Sequence, residues 1–530
     1  MRLDTSTTWV LCWVLTDIFQ LVALDQVTTE VLSLIRSVRN RRAPINRLPC
    51  DVLALIPDFW GRHEREKVAI TLTHVSRAWS EIFISRASLW TDFYCIDAEK
   101  TRVCLERSKS APINVWLERE QGLFPNDPFL DIPSHAIGRL KSLCLTTTPD
   151  HFDDITKHLV HPAPRLNTLV IDGGVVPAHE SISVLTSTLF AGDLSSLRGL
   201  HLKIFTHLPW RNMYNLTSLT LAFIISQPIA FLGQMLDFFE NAPRLSEVTL
   251  TSAIPTFDAQ DGRLVSLSHL RRLKICGPQP PSILLDHLII PVGAEAVVSL
   301  DSARDSQADD LLPRSLDNLQ NLCNFSGIFL RFDRSTTCID LHGPNGQFSV
   351  ASRRGPDPTH MVIRALERFD TSNTQSLVID DNGGMTNEIH QAMLSMENLH
   401  TLIISRGNDS PSFFLGLDLA LASDGVVACS KLKELTYRVP GEFGLGSSVE
   451  FAAARASRAV PLKLVNVVGL WEPFATDEVA ELREHVSHVV EEREYNDQDE
   501  GSNEDEDSDE SEGSGEDEGS YGEGWRARFW

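Results

Sequence analysis

The sequence predicts an α/β chain: a helical N-terminal unit, then an irregular solenoid of stacked β-α repeats, then a disordered acidic tail. Three observations carry this. Between Ile45 and Phe93, Leu, Ile, Val and Trp recur at helical spacing in short segments separated by polar turns. From residue 139 to 437 an LxxLxL string returns repeatedly, in several places after a stretch of helical character. The net charge of −25 is unevenly placed, since residues 491–523 hold seventeen acidic side chains against one Arg. The folded remainder is therefore only mildly acidic. The boundaries read as 1–43 (N-terminal helices), 44–94 (helical unit), 95–470 (solenoid), 471–495 (capping helix) and 496–530 (tail).

Residues Trp9 to Leu24 are apolar but interrupted by Thr16, Asp17 and Gln20. That is short for a bilayer span, which takes about 20 predominantly apolar residues. A packing helix or an imprecise start site is expected here, with an export signal as the alternative. From Val27 to Arg42, Val31, Leu32, Leu34, Ile35 and Val38 precede a basic cluster of Arg36, Arg39, Arg41 and Arg42. Such charges suit the C-terminal end of a helix dipole; a nuclear-import or phosphate-binding patch is the alternative.

Leu48-Pro49 opens the next helix, with Pro where a first-turn N–H would go unused. Val52, Leu53 and Ile56 then form one stripe. Val68, Ile70, Leu72 and Val75 carry a second segment that Trp79, Ile82 and Phe83 continue, and Leu89-Trp90 closes the unit. About fifty residues cannot bury that much apolar surface alone. The remainder is either a docking face for another protein or a seat for the rest of this chain.

Beyond it, Asp97–Ser108 reads as an amphipathic helix and Ile113–Leu117 as a strand. The strings follow: RLKSLCL (139–145), RLNTLVI (165–171), SLRGLHL (196–202), NLTSLTL (215–221), RLSEVTL (244–250) and HLRRLKI (269–275). NLHTLII (398–404) and KLKELTY (431–437) resume them, with TQSLVI (374–379) a partial copy. Their spacing is that of leucine-rich repeats. The second and third apolar positions point inward from a short parallel strand, the residue between them points out, and the first Leu packs the entering turn. Intervening helices are expected at Glu180–Ala191, Pro228–Asn241, His360–Phe369, Asn387–Met396 and Val449–Ala459. Each unit leaves an apolar side that only the next covers, hence a stacked, leucine-rich-repeat-like array; an ordinary α/β sheet is the alternative. Gly327–Phe332, Thr336–Leu341 and Gln347–Ala351 alternate without helices between them, predicting an antiparallel excursion at the edge of the array. Thr476–Glu494 reads as a final capping helix, and Asn496–Gly524 is too polar to pack.

The string Leu48-Pro49, Val52-Leu53, Ile56, Leu72-Thr73-His74-Val75-Ser76-Arg77-Ala78-Trp79 and Leu89-Trp90 resembles the F-box family, whose pattern runs LPxEvLxxIF, LxxVCrxWrxia, pxLW. Cys50, Asp51 and Ser76 depart mildly from it. Pro57 departs more, standing at the usual Phe position, where it would end the helix at Ile56 or weaken the interface. The plan, with Leu105-Glu106-Arg107-Ser108 on the helix after the F-box, resembles fungal F-box proteins with repeats. The resemblance implies a substrate-recognition subunit of an SCF-type (cullin–RING) ubiquitin ligase that contributes no catalytic residue. Its partners would be the F-box-binding adaptor and an unknown protein substrate, in the cytoplasm, the nucleus or both. The competing reading is a scaffold whose F-box binds no adaptor. Carried over by position, the adaptor-binding residues are Leu48, Pro49, Val52, Leu53, Ile56, Val75, Trp79, Leu89 and Trp90. The outward strand positions nominate His201, Lys203, Glu247, Arg272, Lys274, Asp380, Glu434 and Arg438 as a substrate-binding face, with a merely solvated face as the alternative.

No catalytic constellation, cofactor or metal is expected. The nine cysteines form no CxxC, and several sit at core-like positions, the habit of reduced intracellular thiols. Gly444-Leu445-Gly446 lacks the Lys of a phosphate loop. His485 and His488 have no further ligand nearby, and Asp380–Gly384 and Asp172–Gly174 lack a calcium loop's spacing. No domain-wide basic surface exists for nucleic acid.

Overall fold

The computed structural model describes residues 5–119, 127–130, 132, 136–173, 189–203, 213–222, 232–253, 262–301, 311–322, 325–333, 336–344, 346–353, 364–381, 388–405, 429–439, 445–469 and 476–493. The expected helix at Glu180–Ala191 lies mostly outside these residues, and the acidic tail wholly so. Chain contacts divide the described residues into two compact units, residues 5–118 with 127–144, and residue 119 with 145–493. No described helix is long and apolar enough to cross a membrane.

In the first unit, the two expected N-terminal segments are one 38-residue helix, α1 (Thr5–Arg42). Helices α2 (Cys50–Leu55), α3 (Arg62–Thr73) and α4 (Arg77–Ser85) follow. Pro57 does end the first of these: α2 stops at Leu55 and Pro57 sits buried in a 3-10 turn, Ile56–Phe59. Trp79 does not continue the segment before it. The chain breaks at His74–Ser76, where the Ser76 hydroxyl accepts from the Trp79 N–H at 3.3 Å and starts α4 as an N-cap. Strand β1 (Asp92–Tyr94), helix α5 (Ala98–Arg107) and strand β2 (Ile113–Arg119) form a parallel β-α-β unit, with Asp92 opposite Asn114. It packs on the helices through Trp90, Phe93 and Cys95, each at most 1% exposed. The Trp90 indole donates to the Phe83 carbonyl at 3.0 Å, and the Arg107 guanidinium lies 4.4 Å over its ring. Glu66 is buried and paired with Lys100 at 2.9 Å, tying α3 to α5.

Strand β3 (Leu140–Thr147) carries the chain into the second unit. There, helix α6 (Pro149–Thr156) precedes strands β4 (Thr168–Asp172), β5 (Gly199–Lys203) and β6 (Ser218–Ala222). Helix α7 (Leu232–Asn241) leads to β7 (Glu247–Thr251), and the minor strand β8 (Val265–Ser266) to β9 (Arg272–Gly277). The short α8 (Ser282–Leu285), minor β10 (Leu288–Ile289) and β11 (Glu295–Asp301) come next. From β4 to β7, then β9 and β11, successive strands pair in parallel.

Every LxxLxL string behaves as its pattern requires. Its three apolar positions are at most 3% exposed in each described copy, from Leu140, Leu143 and Leu145 to Leu432, Leu435 and Tyr437. The first Leu is held by a recurring turn: its N–H donates to the carbonyl three residues back, as in Leu166 to Ala163, Leu216 to Met213 and Leu399 to Met396. The repeats are also stitched at the strand entry. The Thr217 carbonyl, for example, accepts the N–H groups of both Ser246 and Glu247, and the Ser246 carbonyl those of Arg271 and Arg272. Backbone polarity is thus satisfied repeat by repeat.

The antiparallel excursion exists but is not at the edge. Strands β12 (Gly327–Asp333), β13 (Thr336–Gly343) and β14 (Gly346–Arg353) pair antiparallel in sequence. Strand β14 runs parallel beside β11, while β12 runs parallel beside β15 (Ser376–Asp381), so the three strands sit in line within the sheet. The reason is pairing. A chain that reaches β12 first and then doubles back fills the gap to β11, leaving no unpaired edge there. Gly346 serves this close approach, since a Cβ on it would lie 2.7 Å from the Val292 carbonyl oxygen and 2.9 Å from that of Ala294. Both obstacles are backbone, so Gly346→Ala is expected to cost about 1–3 kcal/mol, read as a lower denaturation midpoint of this unit.

Parallel stacking resumes with helix α9 (Glu388–Leu394), strands β16 (Thr401–Ser405) and β17 (Glu434–Val439), helix α10 (Gly446–Ser457) and β18 (Leu464–Gly469). The expected capping helix over 476–494 is instead helix α11 (Thr476–His485) and a strand, β19 (His488–Arg493), parallel to β18. After Ser487 the β-branched pair Val489-Val490 favours a pleated strand, so this segment is one more repeat.

Candidate protein-docking surfaces

In the first unit the helices bear apolar residues on two sides. Inward stand Leu53, Trp79, Leu89 and Trp90, all at most 4% exposed, and Ile56 is partly buried. Trp79 stacks edge-on against Phe83 at 5.7 Å, and its indole donates to Asn46. Outward stand Leu48, Pro49, Val52 and Val75, all exposed. The inward residues named from the family pattern therefore hold the unit together, and the outward ones remain available for contact. The sequence reading missed Leu55 and Phe59, which are 49% and 87% exposed. They follow Leu48 and Val52 at helical intervals of three and four residues, a spacing interrupted in the sequence by Pro57 between them. The Arg86–Asp58 pair at 3.0 Å pins the turn that presents Phe59.

In the second unit, one face of the sheet is buried under helices and turns and the other is open. The nominated residues fall on the open side in cross-strand rows. Glu247, Arg272 and Glu295 lie abreast, with Arg272 3.8 Å from Glu247 and 3.2 Å from Glu295. Lys203 pairs with Asp172 at 3.2 Å, and Arg331 with Asp380 at 3.7 Å. Glu434 accepts from the Thr401 hydroxyl at 3.2 Å. His201 sits between Val170 and Thr220, and Lys274 between Thr249 and Val297. Burial holds the His201 imidazole below its ordinary pKa, against the pull of Asp172. Arg438 extends the face onto β17. The charges are largely answered by their neighbours, and such exposed pairs contribute at most about 1 kcal/mol each.

Between the charged rows runs an apolar strip that the sequence reading passed over. Phe329, Val378 and Ile403 are register partners on β12, β15 and β16, all half-buried. The Arg331 guanidinium lies 5.1 Å over the Phe329 ring. The signal was present: in TQSLVI and NLHTLII the outward residue between the two inward positions is itself apolar.

Among the described residues no group of three or more His, Cys, Asp or Glu could hold a metal ion. The thiols of Cys104 and Cys338 are pushed up to about 12 and that of Cys429 to about 11, each chiefly by burial. Cys50 is exposed. At about pH 8 an alkylating reagent is expected to modify Cys50 and spare these three, because the reactive species is the thiolate. Folding favours their protonated form, so stability should fall as pH rises from about 9 toward 12, where only the unfolded thiols ionise freely. Labelling of Cys104 before Cys50 would contradict the burial described.

No family model and no curated protein matches the chain. A solved structure entitled "Crystal structure of Rad7 and Elc1 complex in yeast" is similar to it at 12% identity, covering 88% of this chain and 94% of that chain with a TM-score of 0.23.

Proposed function

We propose that the chain is the substrate-recognition subunit of an SCF-type ubiquitin ligase: the first unit docks the ligase adaptor and the open face of the second holds a protein client. The observation that carries this is the outward apolar stripe of Leu48, Val52, Leu55 and Phe59, displayed on a small unit that already has a core of its own. Exposed apolar patches of this kind mark protein contacts. The F-box-like order of the motifs supports the adaptor as occupant. The mixed-charge rows and the Phe329–Val378–Ile403 strip suit a polypeptide client, with an apolar centre and a polar rim. The chain itself performs no chemistry in this reading. Holding a client beside the ligase raises the client's local concentration there, in the cytoplasm or the nucleus.

Tagged full-length chain, purified from cells, is expected to retain the adaptor and cullin, and Leu48→Ala with Pro49→Ala to lose them. Retention of clients without any adaptor would replace this reading with that of a scaffold.

A further inference from the structure

Helix α1 is exposed around its described circumference from Phe19 to Leu32, with Phe19 at 72% and Val22 at 59%, and most of its large apolar residues crowd one arc. Leu21, Leu24, Val27, Val31, Leu32, Leu34, Ile35 and Val38 are 48–64% exposed. At 100° per residue they occupy one arc of roughly 160°. Only toward its C-terminal end does the opposite side touch the helical unit, where Arg77 donates to the Ser33 hydroxyl at 3.3 Å and Asn40 to the Val75 carbonyl at 3.5 Å. Beyond Val38 the same arc turns basic with Arg39 and Arg42, flanked by Arg36, all exposed. Among the described residues none forms an ion pair with these three arginines. The face is thus apolar and then cationic, read from N- to C-terminus, and too long to stay bare in water at no cost.

The chain's last residues carry the complementary order. Residues 497–523 are dense in Asp and Glu, and Trp525, Phe529 and Trp530 follow them. Laid antiparallel on α1, the acidic run meets Arg36, Arg39 and Arg42, and the aromatic end meets the stripe. About thirty residues separate the last described strand from Trp525, a reach that allows an effective concentration on the millimolar scale. From this pairing we infer that residues 497–530 dock in cis on the exposed face of α1. In this contact aromatic burial supplies the attraction and charge sets the direction. Phosphorylation of Ser502, Ser514 or Ser520, each with an acidic residue three positions on, adds about −1.5 to −2 charges per site and tightens it.

The test uses the full chain with a photo-activatable residue replacing Val31. The expected product is a monomeric adduct joining α1 to the segment after Gly524, mapped by mass spectrometry. Its yield should fall at least about five-fold in W525A/F529A/W530A and in R36E/R39E/R42E, or when salt shortens the screening length to about 3 Å. Hydrogen exchange of the α1 amides should speed up in the aromatic variant, whose thermal transition should not move. An adduct between two copies of the chain would assign the face to self-association and overturn the inference. So would an adduct or exchange rate indifferent to the three aromatic substitutions.

Discussion

Val52→Asp with Phe59→Asp is expected to abolish adaptor binding, a loss of at least about 100-fold, while leaving the fold intact. Both side chains stand outward, at 44% and 87% exposed. Neither fills the core, so the stability change should stay within about 0.5 kcal/mol per site. Binding is another matter. Each carboxylate would be driven into an apolar interface with no partner, and central apolar anchors carry most of such an interface's energy. The measurement is a binding titration beside a thermal melt of the same variant. A shifted melt would mean that the stripe is structural; an unchanged affinity would mean that the adaptor contacts something else.

Trp90→Ala should do the reverse. Trp90 is 1% exposed, donates to Phe83 and lies under Arg107. Removing a buried indole costs about 3–5 kcal/mol through lost burial and the cavity left behind. The first unit should then melt at lower denaturant, with the second unit little changed, giving two separated transitions. Adaptor binding should fall as well, because α2 packs on α4 and α4 loses the indole bonded to its Phe83 carbonyl. Trp90→Phe keeps most of the volume and should restore most of the stability. If Trp90→Ala unfolds both units together, they are energetically one.

The repeats were legible because a parallel strand buried on one side imposes a strict alternation, and Leu marks it. Where smaller or branched residues take the same slots, the pattern is muted. Ala294, Ala296 and Val298 enter β11, and Leu462, Val465 and Val467 enter β18, all fully buried. Neither segment reads as a string of leucines. Strand β19 was hidden for a related reason: Val479, Leu482, Val486 and Val489 keep helical spacing across the break at Ser487, and only pairing with β18 decides the conformation. The place of the β12–β14 excursion could not be read locally at all, since it depends on which strands lack partners. In the first unit the motif named positions without telling inside from outside. Leu53 and Trp79 share the F-box-like pattern with Leu48 and Val52, yet the first two are buried and the others are not.

The central claim is that the first unit is an adaptor-docking module. Calorimetric titration of the purified full chain with the purified adaptor of cullin–RING ligases tests it most directly. The account predicts saturable one-to-one binding at micromolar affinity or tighter, about −8 kcal/mol or better, with the negative heat-capacity change of apolar burial. That binding should vanish in the V52D/F59D variant. No heat at adaptor concentrations well above micromolar, or binding that survives the double substitution, would contradict it.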